Sequence, residues 1–321
     1  MFEAWAPGRV NLIGEHTDYS GGLVLPVAIP LGVSLRVHER SERIELGSER
    51  FGAAPLLAAD GAGEATGWSR YALAVAAELG ALGRPPVGIR GDITSSLPAG
   101  AGLSSSAALE VAVALALCEA ADWHLEPMEL AEACRRAEFR AVGAPVGILD
   151  QAASLLGREG HAVLLDCGTL EHRLVPVPDE AALVIVDSGV EHSHETSGYA
   201  QRRAELEAGM PARVRHVRTE NERVLRFVEA LERGDLEEAG RLLVQSHASL
   251  RDDYEVSVPQ LDALVERACA AGAYGARLVG GGFGGSVLAL SDRSRAEALA
   301  ERLGDGMLAF ASNGAQIRRT E

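Results

Sequence analysis

Apolar and polar positions alternate along VSLRVHE (33–39) and again along RIELGSERF (43–51), which predicts two neighbouring, half-buried strands. A Gly/Ala-rich loop follows. TGWSRYALAVAAELGALG (66–83) then sets small and apolar residues at helical spacing, with glycine near its end. VGIRGDITSSLP (87–98) returns to strand periodicity and runs into a glycine-rich turn. The apolar run 103–121 predicts a helix, and EPMELAEACRRAEFRAVG (126–143) a second, with Pro127 near its start. HAVLLDC (161–167) and HRLVPVP (172–178) predict a hairpin around Gly168, and ALVIVDSG (182–189) a buried strand. The Arg- and Glu-rich stretch 199–235 predicts solvated helix. VPQLDALVERACAAG (258–272) predicts a further helix, ARLVGGGFGGSVLALS (276–291) a strand, glycine turn and strand, and RAEALAERLGDG (295–306) a closing helix. Strands and helices mix without strict alternation, so the fold class is α+β. The change of domain is placed just before the 182–189 run, giving domains 1–180 and 181–321.

Composition narrows the function. A chain of 321 residues with 47% hydrophobic and 24% charged content suits a soluble globular protein of two domains, or one large one. A net charge of −16 argues against a nucleic-acid partner, yet allows an anionic small ligand at a locally positive site. All 30 basic residues are arginine. A Walker-type loop, a protein-kinase strand lysine and a lysine-bound pyridoxal cofactor are therefore excluded. Four scattered cysteines (Cys118, Cys134, Cys167, Cys269) form no CxxC pair and predict reduced, mostly buried thiols of a cytoplasmic protein. The N-terminus lacks a signal-peptide pattern. The longest apolar stretch, Val111–Cys118, is far short of the roughly 20 residues a membrane span needs.

Four segments carry candidate chemistry. LPAGAGLSSSAA (97–108) is a glycine turn, three hydroxyls and the start of an apolar helix. Open backbone N–H groups and the helix dipole suit it to hold phosphate, although an ordinary N-capped helix has the same parts. PGRVNLIGEHTDYSGG (7–22) packs Arg9, Asn11, Glu15, His16, Asp18 and Tyr19 together. Acceptors among them such as Glu15 and Asp18 can take hydrogen bonds from sugar hydroxyls and so tell epimers apart. In GAPVGILDQAAS (143–154), Asp150 stands in an apolar run, which asks for an arginine partner, structural or functional. VGGGFGGS (279–286) holds five glycines around Phe283, which means either close backbone approach to something or a tight hairpin bend.

Together these segments resemble the GHMP family of sugar and metabolite kinases, and within it the galactokinase subfamily. GRVNLIGEHTDY resembles the subfamily's signature, LPAGAGLSSSAA the family's ATP loop and VGGGFGG its third motif. The resemblance implies two α+β domains, the first like ribosomal protein S5 domain 2 and the second ferredoxin-like, with ATP and sugar between them. It implies Mg²⁺-dependent transfer of the ATP γ-phosphate to the C1 hydroxyl of D-galactose, by a monomer or weak homo-oligomer. Asp150 matches the catalytic aspartate and Arg9 the arginine that pairs with it. Glu15, His16, Thr17 and Asp18 match sugar-binding positions, with Gly147 near the sugar and Tyr199 contributed from the second domain. Gly100, Ala101, Gly102, Leu103, Ser104, Ser105 and Ser106 match the residues that wrap the phosphates. Ser106 matches the family's Mg²⁺-ligand serine and Glu138 its carboxylate partner, two hard oxygens of the kind Mg²⁺ prefers. Trp68 and Tyr71 resemble an aromatic patch near the adenine, with helix packing as the alternative, and Ser48 falls at the nucleotide pocket. His192 and His194 form an HxH to which the family assigns no role. Six residues precede Pro7, where the resemblance leads one to expect a longer N-terminal extension, and Ser20 and Ser286 replace a common asparagine and cysteine. Related kinases of arabinose or N-acetylgalactosamine are the alternative, as is a non-catalytic sugar sensor. The latter is opposed by the presence of Ser106-Ala107, Asp150 and Arg9.

Overall fold

The computed structural model describes residues 1–98, 102–143, 146–190, 195–304 and 306–319. Its largest sheet has seven strands and is built around Phe2–Asn11. That strand pairs antiparallel with Pro26–Ser41, which pairs in turn with Gly88–Ser95. Arg43–Ser48 lies parallel to Gly88–Ser95 on the far side. The register between the first two strands shifts between Pro7 and Arg9. The extra residues lie in Pro26–Ser41, where 29–31 stand opposite Gly8 alone, and pairing resumes at Arg9 with Ala28. Gly8 at the shift is tightly covered: an added Cβ would meet the Leu103 carbonyl oxygen at 2.6 Å. The Arg9 amide donates to that same carbonyl at 3.2 Å, tying the glycine-rich turn to the strand.

The helix Ser105–Ala120 follows the glycine-rich turn and is apolar on nearly every side (Ala107, Val111, Ala114, Leu117). Such a helix must be covered all round. It lies between the sheet and the helices Ser69–Ala81 and Pro127–Val142. The hairpin expected around Gly168 pairs His161–Asp166 with His172–Pro176, and Leu23–Val24 completes that small sheet.

The second half carries a four-stranded sheet in the order Gly275–Leu278, Ser286–Asp292, Ala181–Asp187, Met307–Ala309. Leu236–Asp252, Pro259–Ala270 and Ala296–Arg302 pack against it. The last strand, Gln316–Arg319, returns to the first sheet beside Phe2–Asn11. The helical stretch expected over 199–235 is two helices, Glu195–Glu207 and Pro211–Glu232. Pro211 has no N–H to continue the first helix but suits the first turn of the second. Two further helices escape the periodicity reading. Leu236–Asp252 is capped by Asp235, whose carboxylate accepts from the Glu238 amide at 2.9 Å. Leu149–Leu156 is only eight residues long and puts Asp150 in its first turn. All four cysteines are free; Cys118 and Cys134 are buried, Cys167 and Cys269 half-buried. No helix among the described residues is long and apolar enough to cross a membrane.

Candidate active site

The register shift, the helix Ser105–Ala120 and the short helix bearing Asp150 converge on one cavity of about 790 Å³. Arg9 Nε donates to Asp150 Oδ1 at 2.5 Å, and Ser104 Oγ donates to Asp150 Oδ2 at 2.5 Å. Both carboxylate oxygens are thus held from residues far away in the chain. Arg9 Nη1 also donates to the Gly102 carbonyl at 2.8 Å. Burial alone would lower the Arg9 pKa, but Asp150 and then Glu15 outweigh it, so the guanidinium stays charged.

Beside this pair, Ser106 Oγ donates to Glu138 Oε1 at 3.0 Å. The second oxygen, Glu138 Oε2, accepts from Gln151 Nε2 at 2.7 Å, and the same amide nitrogen donates to Glu110 Oε2 at 3.1 Å. Glu110 is completely buried, and its pKa is pushed well above the usual carboxylate range by burial and then by Glu138. Glu138 is raised for the same reason, burial first and the Asp150 charge second.

The segment 11–18 forms the opposite wall. Glu15 is buried, and it accepts from Gly280 N at 2.9 Å and from Asn11 Nδ2 at 3.1 Å. His16 adopts a left-handed backbone, φ 62°. Its pKa falls to about 3, through burial and then His216, so the ring is neutral. Because a carbonyl only accepts, Nε2 carries the proton and donates to the Gly281 oxygen at 3.2 Å, and Nδ1 accepts from Tyr19 Oη at 2.8 Å. Asp18 is half-buried against Gly147. Its pKa rises to about 7, first through burial and then through the nearby Asp150 and Glu15 charges. Tyr199, on the helix Glu195–Glu207, closes the wall, with its ring centroid 5.2 Å from Tyr19 and 5.6 Å from His16. Arg70 lines this cavity and also a neighbouring one of about 690 Å³, bounded by the 61–67 loop.

Three sequence families match the chain. Residues 2–38 match the galactokinase galactose-binding signature, 69–158 the GHMP kinases N terminal domain and 227–307 the GHMP kinases C terminal domain. Galactokinase of Streptomyces coelicolor is 42% identical, over 98% of this chain and 90% of that protein. Galactokinase of Thermococcus kodakarensis is 38% identical, over 94% and 92%. The solved structure of Lactococcus lactis galactokinase complexed with galactose superposes with a TM-score of 0.89 at 31% identity, covering 98% of this chain and 94% of that one. This chain belongs to the galactokinase family. Methanococcus jannaschii mevalonate kinase, at 21% identity and a TM-score of 0.73, shares the wider GHMP fold.

Within this galactokinase-family fold, the residues expected at the site fall into groups. Arg9, Glu15, His16, Asp18, Ser106, Glu138, Gly147, Asp150 and Tyr199 line the main cavity together. Thr17 is fully buried instead, its hydroxyl 2.8 Å from the Gly14 and Leu23 carbonyls, where it pins the loop. Leu103 is a core side chain, and Ser105 is exposed at the helix start. Trp68 packs against the core while its neighbours Arg70 and Tyr71 line the main cavity. Ser48 holds the turn at 48–52 by accepting from the Phe51 amide at 3.3 Å, and lines neither cavity. Gly100, Ala101, His192 and His194 lie outside the described residues.

Several groups were not legible in the sequence: the Ser104 hydroxyl on Asp150, the Gln151 bridge between two carboxyls, and the buried Arg277 behind Glu15. For Gln151 the one available signal was a polar side chain in an apolar run. The Ser106–Glu138 pair fits a divalent cation. Both donors are hard oxygens 3.0 Å apart, and the carboxyl has its pKa raised by burial, which a cation would reverse. Among the described residues no group of three or more His, Cys, Asp or Glu side chains forms a metal cage, so phosphate and water would complete the coordination.

Proposed function

We propose that this protein is a galactokinase that transfers the γ-phosphate of ATP to the C1 hydroxyl of D-galactose with Mg²⁺. The single observation that carries this is Asp150, held on both oxygens by Arg9 and Ser104 inside a cavity whose other walls are the 15–18 segment and the Ser106–Glu138 pair. The sugar lies against Glu15, His16, Asp18, Gly147 and Tyr199. Its C1 hydroxyl approaches Asp150. The nucleotide phosphates lie over the start of the helix Ser105–Ala120, with Gly102–Ser106 around them, and the base extends toward the cavity at 61–67.

Phosphoryl transfer needs positioning and charge neutralisation more than covalent help. The sugar oxygen forms its bond to the γ-phosphorus as the bond to the β,γ-bridging oxygen breaks, and ADP leaves. The hydroxyl proton passes to the Asp150 carboxylate and from there to solvent. Asp150 is fixed on both oxygens by Arg9 and Ser104, so orienting the hydroxyl is a large part of its contribution. Arg9 then also faces the charge growing on the transferred group, a task that falls to arginine in a chain without lysine. Mg²⁺, held by Ser106 and Glu138 when bound, would neutralise phosphate oxygens. The two domains meet about this site, divided near residue 180, with the C-terminal strand Gln316–Arg319 crossing back to the first sheet, in a cytoplasmic enzyme that is a monomer or weak homo-oligomer.

A sugar panel with ADP release as readout tests the proposal. Galactose should turn over faster than arabinose or N-acetylgalactosamine, with no turnover when magnesium is chelated. Faster turnover of either other sugar, or none with any, overturns it.

A further inference from the structure

The five-glycine turn and the arginine before it have no part in the chemistry above, yet they touch the sugar wall directly. Arg277 lies on the strand Gly275–Leu278 and is completely buried. A buried guanidinium is tolerated only when its donors are satisfied. Arg277 Nε donates to the Leu12 carbonyl at 2.7 Å, Nη1 to the Leu278 carbonyl at 2.8 Å, and Nη2 to the Asn11 carbonyl and to Glu15 Oε1 at 3.2 Å. The fork therefore grips the end of the strand that leads into the 15–18 segment, together with that segment's carboxylate. The turn continues the grip through its backbone. The Gly280 amide donates to Glu15 Oε1, and the Gly281 carbonyl accepts from His16. Gly280 and Gly282 have φ of 81° and 79°, left-handed values that glycine adopts freely.

Taking the reading of the site as a sugar kinase as its basis, we propose that Arg277 is a positioning residue and that the 277–282 segment is a fastener setting Glu15 and His16 at the sugar. A carboxylate offers about four acceptor positions. Glu15 already fills three, from Arg277, Gly280 and Asn11. One position on Oε2 remains, so Glu15 receives a single sugar hydroxyl in a direction set by Arg277. Asn11 alone, on the other oxygen, cannot fix that direction.

The test uses the full chain with Arg277→Met and Arg277→Lys, with steady-state kinetics for both substrates and thermal melts. Arg277→Met should raise the galactose KM at least twentyfold while the ATP KM stays within threefold. Arg277→Lys keeps the charge but not the fork, and should fall between wild type and Arg277→Met. Glu15→Gln should raise the galactose KM in the wild-type background and change it less than threefold in the Arg277→Met background. A folded Arg277 variant with wild-type galactose KM, or fully additive effects of the pair, overturns the inference. If Arg277→Met does not fold, Arg277→Lys is read alone. Hydrogen exchange on the wild-type protein provides a check independent of any variant. Galactose without nucleotide should slow exchange at least twofold across 277–282, and no change there overturns the inference. A wild-type protein that fails to phosphorylate galactose removes the functional reading itself. Wild-type turnover with insensitive Arg277 variants removes only the fastener.

Discussion

Gly147→Ala is a small perturbation with a large expected effect on sugar binding. An ideal Cβ on Gly147 would lie 1.6 Å from Asp18 Oδ2 and 2.3 Å from its Cγ, where ordinary contact begins at 3.4 Å. The Asp18 side chain must therefore move by more than an ångström. The backbone of Gly147 is not left-handed, so alanine suits it. Reduced freedom of the unfolded chain then stabilises the fold by about 0.4–1 kcal/mol. Forcing Asp18 off its rotamer costs about 0.5–1.5 kcal/mol, so the melting temperature should barely move. The sugar, however, loses a hydrogen bond to a charged acceptor, about 1.5–3 kcal/mol. At about 1.4 kcal/mol per factor of ten, the galactose KM should rise about 10- to 150-fold. The ATP KM should stay near wild type. The assay is coupled ADP release at saturating ATP with galactose varied, beside a thermal melt. Adding Asp18→Ala to Gly147→Ala should raise the galactose KM little further. A folded Gly147→Ala protein with galactose KM within twofold of wild type would refute the assignment of Asp18 to the sugar.

The remaining expectations are more direct. Asp150→Ala should lower turnover by about a thousandfold or more, in line with the loss of a positioned proton acceptor, while leaving ATP affinity measured by calorimetry largely intact; turnover above a tenth of wild type means the aspartate is misassigned. Gln151→Leu removes the amide that holds Glu138. Half-saturating Mg²⁺ should rise about tenfold or more from loss of one hydrogen bond to a charged group, direct Mn²⁺ binding by EPR should weaken in parallel, and excess Mg²⁺ should restore kcat; unchanged metal affinity rules out the role. Asp18, with its pKa raised to about 7, is half protonated near neutrality, and only the carboxylate accepts freely. The galactose KM should therefore fall about tenfold as pH rises from 6 to 8, as expected for binding by the deprotonated form of a group titrating near 7. Asp18→Asn should flatten that dependence, and a flat wild-type profile counts against it.

Elements long enough for their periodicity to be unambiguous agree between sequence and structure, such as the helices at 69–81, 105–120 and 127–142 and the hairpin around Gly168. The failures have separate causes. The strand Phe2–Asn11 is obscured because its end is also the polar segment of the site, so burial and function compete for the same residues. Leu149–Leu156 is too short to show a period. The helix Leu236–Asp252 carries a usable signal in Asp235 and in Leu236, Ala239, Leu242 and Leu243, which lie next to the charged run before them. Ser104 illustrates what spacing cannot show. Its place before a helix suggests a cap or a phosphate ligand, but its side chain makes no cap hydrogen bond and meets Asp150 46 positions away.

The sequence by itself determined the chemistry available: arginine as the sole permanent side-chain cation, a hydroxyl-rich helix start, a cluster of acceptors near the N-terminus and an aspartate in an apolar run. These follow from residue type and local spacing, which a linear chain carries in full. The tertiary structure alone decided which of those groups face one another. Asp150 meets Arg9 because the short helix that carries it packs against the first strand, 141 positions away in the chain. Glu15 meets Arg277 because the second sheet packs its first strand behind the first sheet's end. Such pairings depend on how the layers pack, and packing minimises free energy over the whole chain, so no local pattern encodes them.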